Sequence, residues 1–211
     1  MKIISLLAQK GGAGKTTLTV HLAVLAASEG NRVLLVDTDP QKSTGDWWRE
    51  READEPGLVE ITADKIPNVI EAAKEAGVEF VFIDTAPHAE PAAYAASKAA
   101  DLVLIPTRPS ILDLRAIGAT TNIIQDVGTN AAIVLNSCPP SRGYGEATLI
   151  KEAREALTAY EVPVCPIAII QRAAMAHSLI DGHSVFEYEP DGKAADEIRK
   201  LWNWTKEQLN G

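Results

Sequence analysis

The run Lys10-Gly11-Gly12-Ala13-Gly14-Lys15-Thr16-Thr17 directly follows an apolar segment, Lys2 to Ala8, and opens a helical pattern, Lys15 to Ser28. A strand, a glycine loop and a helix in this order make the first half of a βαβ unit, which commits the chain to a parallel sheet. Gly11, Gly12 and Gly14 let the main chain approach oxygen atoms that a Cβ would block. Amides at the start of the helix point positive potential at the same place. The loop, Ala13 and Thr17 included, therefore reads as a phosphate cradle. Lys15 reaches the β- and γ-phosphates of a nucleotide, and the Thr16 hydroxyl ligates Mg²⁺. The common pattern G-x-x-x-x-G-K-[ST] asks for glycine at position 9. Here Gln9 stands there, followed by a second lysine, Lys10.

Beyond the loop, short apolar runs alternate with helical patterns. Arg32 to Val36, Phe80 to Ile83, Leu102 to Ile105 and Ala131 to Leu135 read as strands covered on both faces. Lys65 to Glu75, Pro91 to Ala99, Leu112 to Gln125 and Glu146 to Ala159 read as the helices between them. The expected fold is α/β: a doubly wound, mostly parallel sheet flanked by helices, in one domain spanning residues 1–211. Pro163 and Pro166 bracket a stretch in which Ile167 to Ile170 is expected as a last strand. Asp191 to Leu209 is expected as a closing helix, with Ile198, Leu201, Trp202 and Leu209 on its core side.

Two of the strand patterns end in aspartates, Asp37-Thr38-Asp39-Pro40-Gln41 and Asp84-Thr85-Ala86-Pro87. Ligands of doubly wound sheets bind beyond the carboxyl ends of the strands, so these acids converge on the phosphates. Asp84 is expected to hold the metal through a water, Asp37 to support the metal shell, and Asp39 to orient an attacking water. No further base for an acceptor substrate is visible, so hydrolysis is the economical reaction.

The 211 residues carry a formal net charge of −9. Such a surface repels nucleic acid as a whole and leaves polyanion binding to a local or dimer-built basic patch. Cys138 and Cys165 fit no paired metal spacing, and a reducing cytoplasm is the simplest setting. No apolar run reaches the ~18 residues a membrane span needs. His21 reads as structural, His88, His177 and His183 form no ligand constellation, and Trp47 and Trp48 read as packing on the adjoining helix.

Gln9 to Thr17, Asp37 to Gln41 and Phe80 to Pro87 together closely resemble the ParA/MinD group of deviant P-loop ATPases. The likeness extends through Leu102 to Ser110 and Ile133 to Asn136 and covers roughly residues 1–187. It implies that Lys10 is the signature lysine that crosses an ATP-bound homodimer to the partner's phosphates. It also implies that Gly12 permits close approach at that seam and that Asn136 hydrogen-bonds the adenine edge. The chain opens at its first strand and so resembles the short ParA type, which moves plasmids, chromosome origins or large protein cargoes over the nucleoid with a centromere-binding or cargo adaptor. Arg172 resembles a basic DNA-contacting residue of the family, and Arg199 and Lys200 are expected to join it.

Three rival readings stay open. A MinD-like membrane-recruited ATPase would carry a basic amphipathic terminal helix, whereas the stretch from Asp196 balances acids and bases. A metal-cluster ATPase would need paired cysteines. A small-molecule kinase or synthetase would leave Lys10 without a role.

Overall fold

The apolar runs of the first two-thirds of the chain form strands that pair only in parallel. In the computed structural model, which describes residues 1–141 and 145–210, they are β1 Lys2–Leu6, β2 Val33–Asp37, β3 Gly57–Glu60, β4 Phe80–Asp84, β5 Leu102–Thr107 and β6 Ala131–Leu135. Their order in the sheet is β3-β2-β4-β1-β5-β6. Gly211, the end of the expected domain, lies outside the described residues. The helices are α1 Lys15–Ser28, α2 Ser43–Arg49, α3 Ile66–Glu75, α4 Glu90–Ala99, α5 Ile111–Val127, α6 Thr148–Leu157, α7 Ala173–Ile180, α8 Val185–Tyr188 and α9 Lys193–Asn210.

Successive strand residues face opposite sides of a sheet, and the core divides accordingly. Ile4, Leu6, Phe82 and Leu104 pack with α1 and α9 on one side, while Ile3, Val81, Ile83 and Ile105 pack with α5 and α6 on the other. Both faces being covered, the central strands are almost uniformly apolar, which is what made them visible in the sequence.

Register does the positioning. Asp37 of β2 stands beside Asp84 of β4, and Leu6 of β1 stands on the other side of Asp84. The strand that feeds the glycine loop and the two strands that end in carboxylates therefore finish at one level.

Three features differ from the sequence reading. Gly57–Glu60 adds a half-buried edge strand, and Ser43–Arg49 adds a short helix directly after Asp39. Ile167 to Ile170 is not a strand: among the described residues, isolated bridges, Ile133 to Val164 and Cys138 to Ile170, and the Ile169 N–H on the Leu135 carbonyl join this region to the rest. Pro163 and Pro166 have no N–H to give, which stops a continuous ladder.

The closing helix docks on its own core. Ile198, Leu201 and Trp202 are fully buried, and the Trp202 ring meets Phe80 edge-on at 5.1 Å. No helix among the described residues is long and apolar enough to cross a membrane.

His21 of α1 is completely buried, its Nδ1 accepting the Val185 N–H at 3.2 Å. Burial pushes the imidazole down to about 4 from 6.5. Between those values the unfolded chain takes a proton that the fold refuses, so His21 contributes stability above pH 6.5 that is lost as pH falls toward 4. The unfolding free energy of the parent should therefore drop more steeply across this window than that of His21→Leu, by on the order of 3 kcal/mol. Urea titrations at stepped pH measure the difference, and equal slopes would refute it.

Candidate functional site

The glycine loop leaves β1 and turns into α1 through Gly14, whose φ of 97° lies in the left-handed region. A Cβ at Gly14 would collide with the Asn136 side-chain amide. That amide, 3% exposed at the end of β6, donates to the Ala13 carbonyl at 2.8 Å. Asn136 is thus placed as a brace under the loop rather than as a free group. Gly12, with φ of 71°, lies under the guanidinium of Arg108, which donates to the Gly12 carbonyl.

Lys15 is 7% exposed and its ammonium donates to the Ala8 carbonyl at 3.2 Å. Burial pushes its pKa down, and the carboxylates of Asp84 and Asp39 push it back up. Thr16 donates its hydroxyl to Asp84 Oδ2 at 2.6 Å. The same oxygen accepts a second hydroxyl, from Thr44 of α2, at 2.8 Å. Asp84 is fully buried and its other oxygen, Oδ1, has no partner among the described residues. Burial raises its pKa to about 6, against the pull of the two threonines and of Lys15, while Asp37 adds to the rise.

Asp37 accepts the N–H of Asp39 at 2.9 Å and of Gly45 at 3.1 Å. These donors only partly offset a pKa raised chiefly by burial. Asp39 is half-buried, and its Oδ1 accepts the Gln41 N–H at 2.9 Å. The structure therefore gathers Lys15, Thr16, Asp37, Asp39 and Asp84 at the carboxyl edge of the sheet.

Two hollows meet over the loop. One, of about 640 Å³, is lined by Lys15, Thr16, Asp39, Trp47 and Pro87. The other, of about 500 Å³, is lined by Asn136, Ile170, Gln171, Met175 and Ala176. Gly12, Gly14, Thr17 and Leu179 border both. Both volumes lie in the range of small-molecule sites, the first being lined by Lys15 and Asp39 and the second by Ile170, Met175 and Ala176. Trp47 is 6% exposed and donates to the His183 carbonyl at 3.2 Å, and Trp48 donates to the Pro56 carbonyl at 2.8 Å.

Lys10 is not brought into this cleft. It is exposed and lines a separate hollow with Gln9, His88, Glu90 and Pro91. The three expected DNA contacts are all engaged within the chain. Arg172 pairs with Glu197 at 2.7 Å, Arg199 donates to the Pro190 carbonyl at 2.6 Å and lies over the Phe186 ring, and Lys200 pairs with Asp196 at 2.7 Å. Thr44 and Arg108 escaped the sequence reading. Thr44 directly follows Ser43 in a hydroxyl pair just after the Asp37 to Gln41 run, the one local hint it offered.

Residues 4–185 match the family described as "CobQ/CobB/MinD/ParA nucleotide binding domain". The chain is 35% identical to "Maintenance of carboxysome distribution protein A" of Gloeobacter kilaueensis, over 99% of this chain and 94% of that one. It is 26% identical to "Chromosome-partitioning ATPase Soj" of Thermus thermophilus, over 94% and 92%. Among solved structures, the cell division ATPase MinD of Pyrococcus furiosus superposes with a TM-score of 0.75 at 24% identity, over 98% of each chain, which bears on the fold alone.

A buried acid whose folded pKa is raised favours the fold in its protonated form, so its contribution is lost as pH rises through that pKa. Without nucleotide and in EDTA, the parent should lose stability relative to Asp84→Asn between pH 4.5 and 7.5, by on the order of 2 kcal/mol. Urea midpoints of the two proteins that run parallel would contradict this.

Proposed function

This chain belongs to the CobQ/CobB/MinD/ParA family of nucleotide-binding domains, and from that premise we propose that it is an ATP-dependent dimerisation switch that hydrolyses Mg-ATP slowly and positions a cargo over nucleoid DNA. The observation that carries the reading is the bond from the loop hydroxyl of Thr16 to the buried carboxylate of Asp84. It joins the phosphate cradle to the strand-end acids.

The residues present fit a magnesium ion. Asp84 Oδ1 is a buried acceptor without a donor among the described residues, next to the Thr16 hydroxyl and one strand from Asp37. Among the described residues no group of three or more His, Cys, Asp or Glu side chains is arranged to hold a metal. Such a site suits Mg²⁺, which uses one or two carboxylates together with phosphate oxygens and water. Bound there, the ion would neutralise charge on the transferring phosphoryl group.

The chain's own groups then take these roles. Backbone amides from Gly11 to Thr17 cradle the phosphates. Lys15 exchanges the Ala8 carbonyl for phosphate oxygens. Asp39 spends one oxygen on the Gln41 N–H, which leaves the other to orient the attacking water. The base lies in the adjoining hollow, where Asn136 either keeps Ala13 or turns to the adenine edge. Lys10 acts on a second subunit, and its exposed place outside its own cleft supports this.

For the cargo, the full-length likeness to a carboxysome distribution protein favours a large protein assembly over a replicon, with an adaptor that stimulates hydrolysis. For DNA, Arg172, Arg199 and Lys200 would each have to release a partner in the chain, and the net charge is −9. Binding to DNA is therefore weak and strongly salt-dependent. Membrane recruitment through α9 is disfavoured because its apolar side is buried.

Three measurements test the proposal. Lys15→Gln should lower ATP affinity at least ~100-fold, since a charge-assisted contact is lost; retained affinity would remove the central assignment. Asp39→Ala should bind ATP normally, slow turnover by about 100-fold or more, and accumulate as dimer in sedimentation; normal turnover would place the water elsewhere. Co-sedimentation with DNA should need ATP, fail with ADP and vanish at raised salt, whereas binding to liposomes instead would favour the membrane branch.

A further inference from the structure

Among the described residues Asp84 accepts two side-chain hydrogen bonds, both on Oδ2, and only one of the donors belongs to the phosphate loop. The second is Thr44, in the first turn of a helix that the loop does not explain. Its side chain is fully buried, and its one hydroxyl contact among the described residues is Asp84 Oδ2 at 2.8 Å. The next residue, Gly45, donates its N–H to Asp37 Oδ2 at 3.1 Å. Two successive residues of α2 thus hold the two neighbouring carboxylates of β2 and β4.

Packing alone does not account for a hydroxyl here. A valine has the same shape, and a buried hydroxyl costs free energy unless it is bonded. What the hydroxyl does is fix which oxygen of Asp84 is occupied. With Thr16 and Thr44 both on Oδ2, Oδ1 remains buried and, among the described residues, without a donor. Leaving such an acceptor unpaired is unfavourable in an empty fold and is expected where a ligand supplies the missing partner. A carboxylate free to turn about its Cβ–Cγ bond would share the donors between its two oxygens and lose that arrangement.

We propose that Thr44 is a positioning residue for the metal carboxylate: its hydroxyl locks Asp84 so that Oδ1 stays available to a hydrated Mg²⁺ ion, and it thereby couples α2 to the metal site. The inference rests on the reading of Asp84 as the carboxylate that holds the metal. Thr44 is not among the residues that line the two hollows over the loop, and it acts through Asp84.

The test titrates free Mg²⁺ against the binding of a fluorescent, non-hydrolysable ATP analogue, with a parallel measurement in EDTA. In Thr44→Val the Mg²⁺ concentration at half-maximal enhancement should rise tenfold or more, in the range found for groups that orient metal ligands, while affinity in EDTA stays at the parent value. Thr44→Ser, which keeps the hydroxyl, should titrate like the parent. Thermal melts of each variant check folding; should Thr44→Val not fold, Thr44→Ala is held to the same expectation. A parent-like Mg²⁺ titration of the hydroxyl-free variant overturns the proposal, as does an equal loss in Mg²⁺ and EDTA, which marks a merely structural role. Asp84→Asn separates the two levels. If it leaves the Mg²⁺ requirement unchanged, the metal assignment itself fails. If it raises the requirement while the hydroxyl-free variant does not, Thr44 alone is excluded.

Discussion

Removing a carboxylate from water is expensive, and the fold does so completely at Asp84. The surroundings compensate only in part: two threonine hydroxyls meet one oxygen, Lys15 adds attraction, and Asp37 adds repulsion. The remaining deficit explains the rest of the site. An acid held this way is a poor contributor to stability once it is ionised. Strained electrostatics of this kind concentrate where a protein binds or reacts.

The parallel register turns that local deficit into a binding edge. Because β1, β4 and β2 end together, the loop, Asp84 and Asp37 need no long excursions to meet. The loop itself is stiffened from both flanks, by Asn136 at the end of β6 and by Arg108 just beyond β5. Two strands that bring no carboxylate to the site thus contribute by holding the main chain in place. Helix α2 closes the circuit from the other side, with Glu60 of the edge strand bridging its Lys42 and Arg49 neighbours.

Much of this could be read from the chain because it is encoded locally. The glycine spacing, the apolar strand before it and the aspartates at strand ends each occupy a few consecutive residues. The parts that were missed depend on distant partners. Thr44 meets a carboxylate 40 positions away, and Arg108 meets a carbonyl 96 positions away. The edge strand Gly57–Glu60 is half-buried throughout and lacks the continuous apolar run of the central strands. The basic residues assigned to DNA were recognised as charges, but a sequence does not say which acid or carbonyl a given arginine will choose. Glu197, the Pro190 carbonyl and Asp196 made that choice in the fold.

Helix α9 comes after every strand in the chain, yet its Trp202 fills the space over Phe80 and Phe82, and the Lys2 ammonium donates to the Leu209 carbonyl at 2.6 Å. During synthesis on the ribosome, then, α1 can cover its part of this side early, while the part that Trp202 fills waits bare until α9 emerges. Domains released in that condition expose sticky surface to their neighbours. For this protein the vulnerable interval falls between the appearance of β6 and the arrival of Trp202, which makes the late helix the seal on the nascent chain rather than an appendix to it.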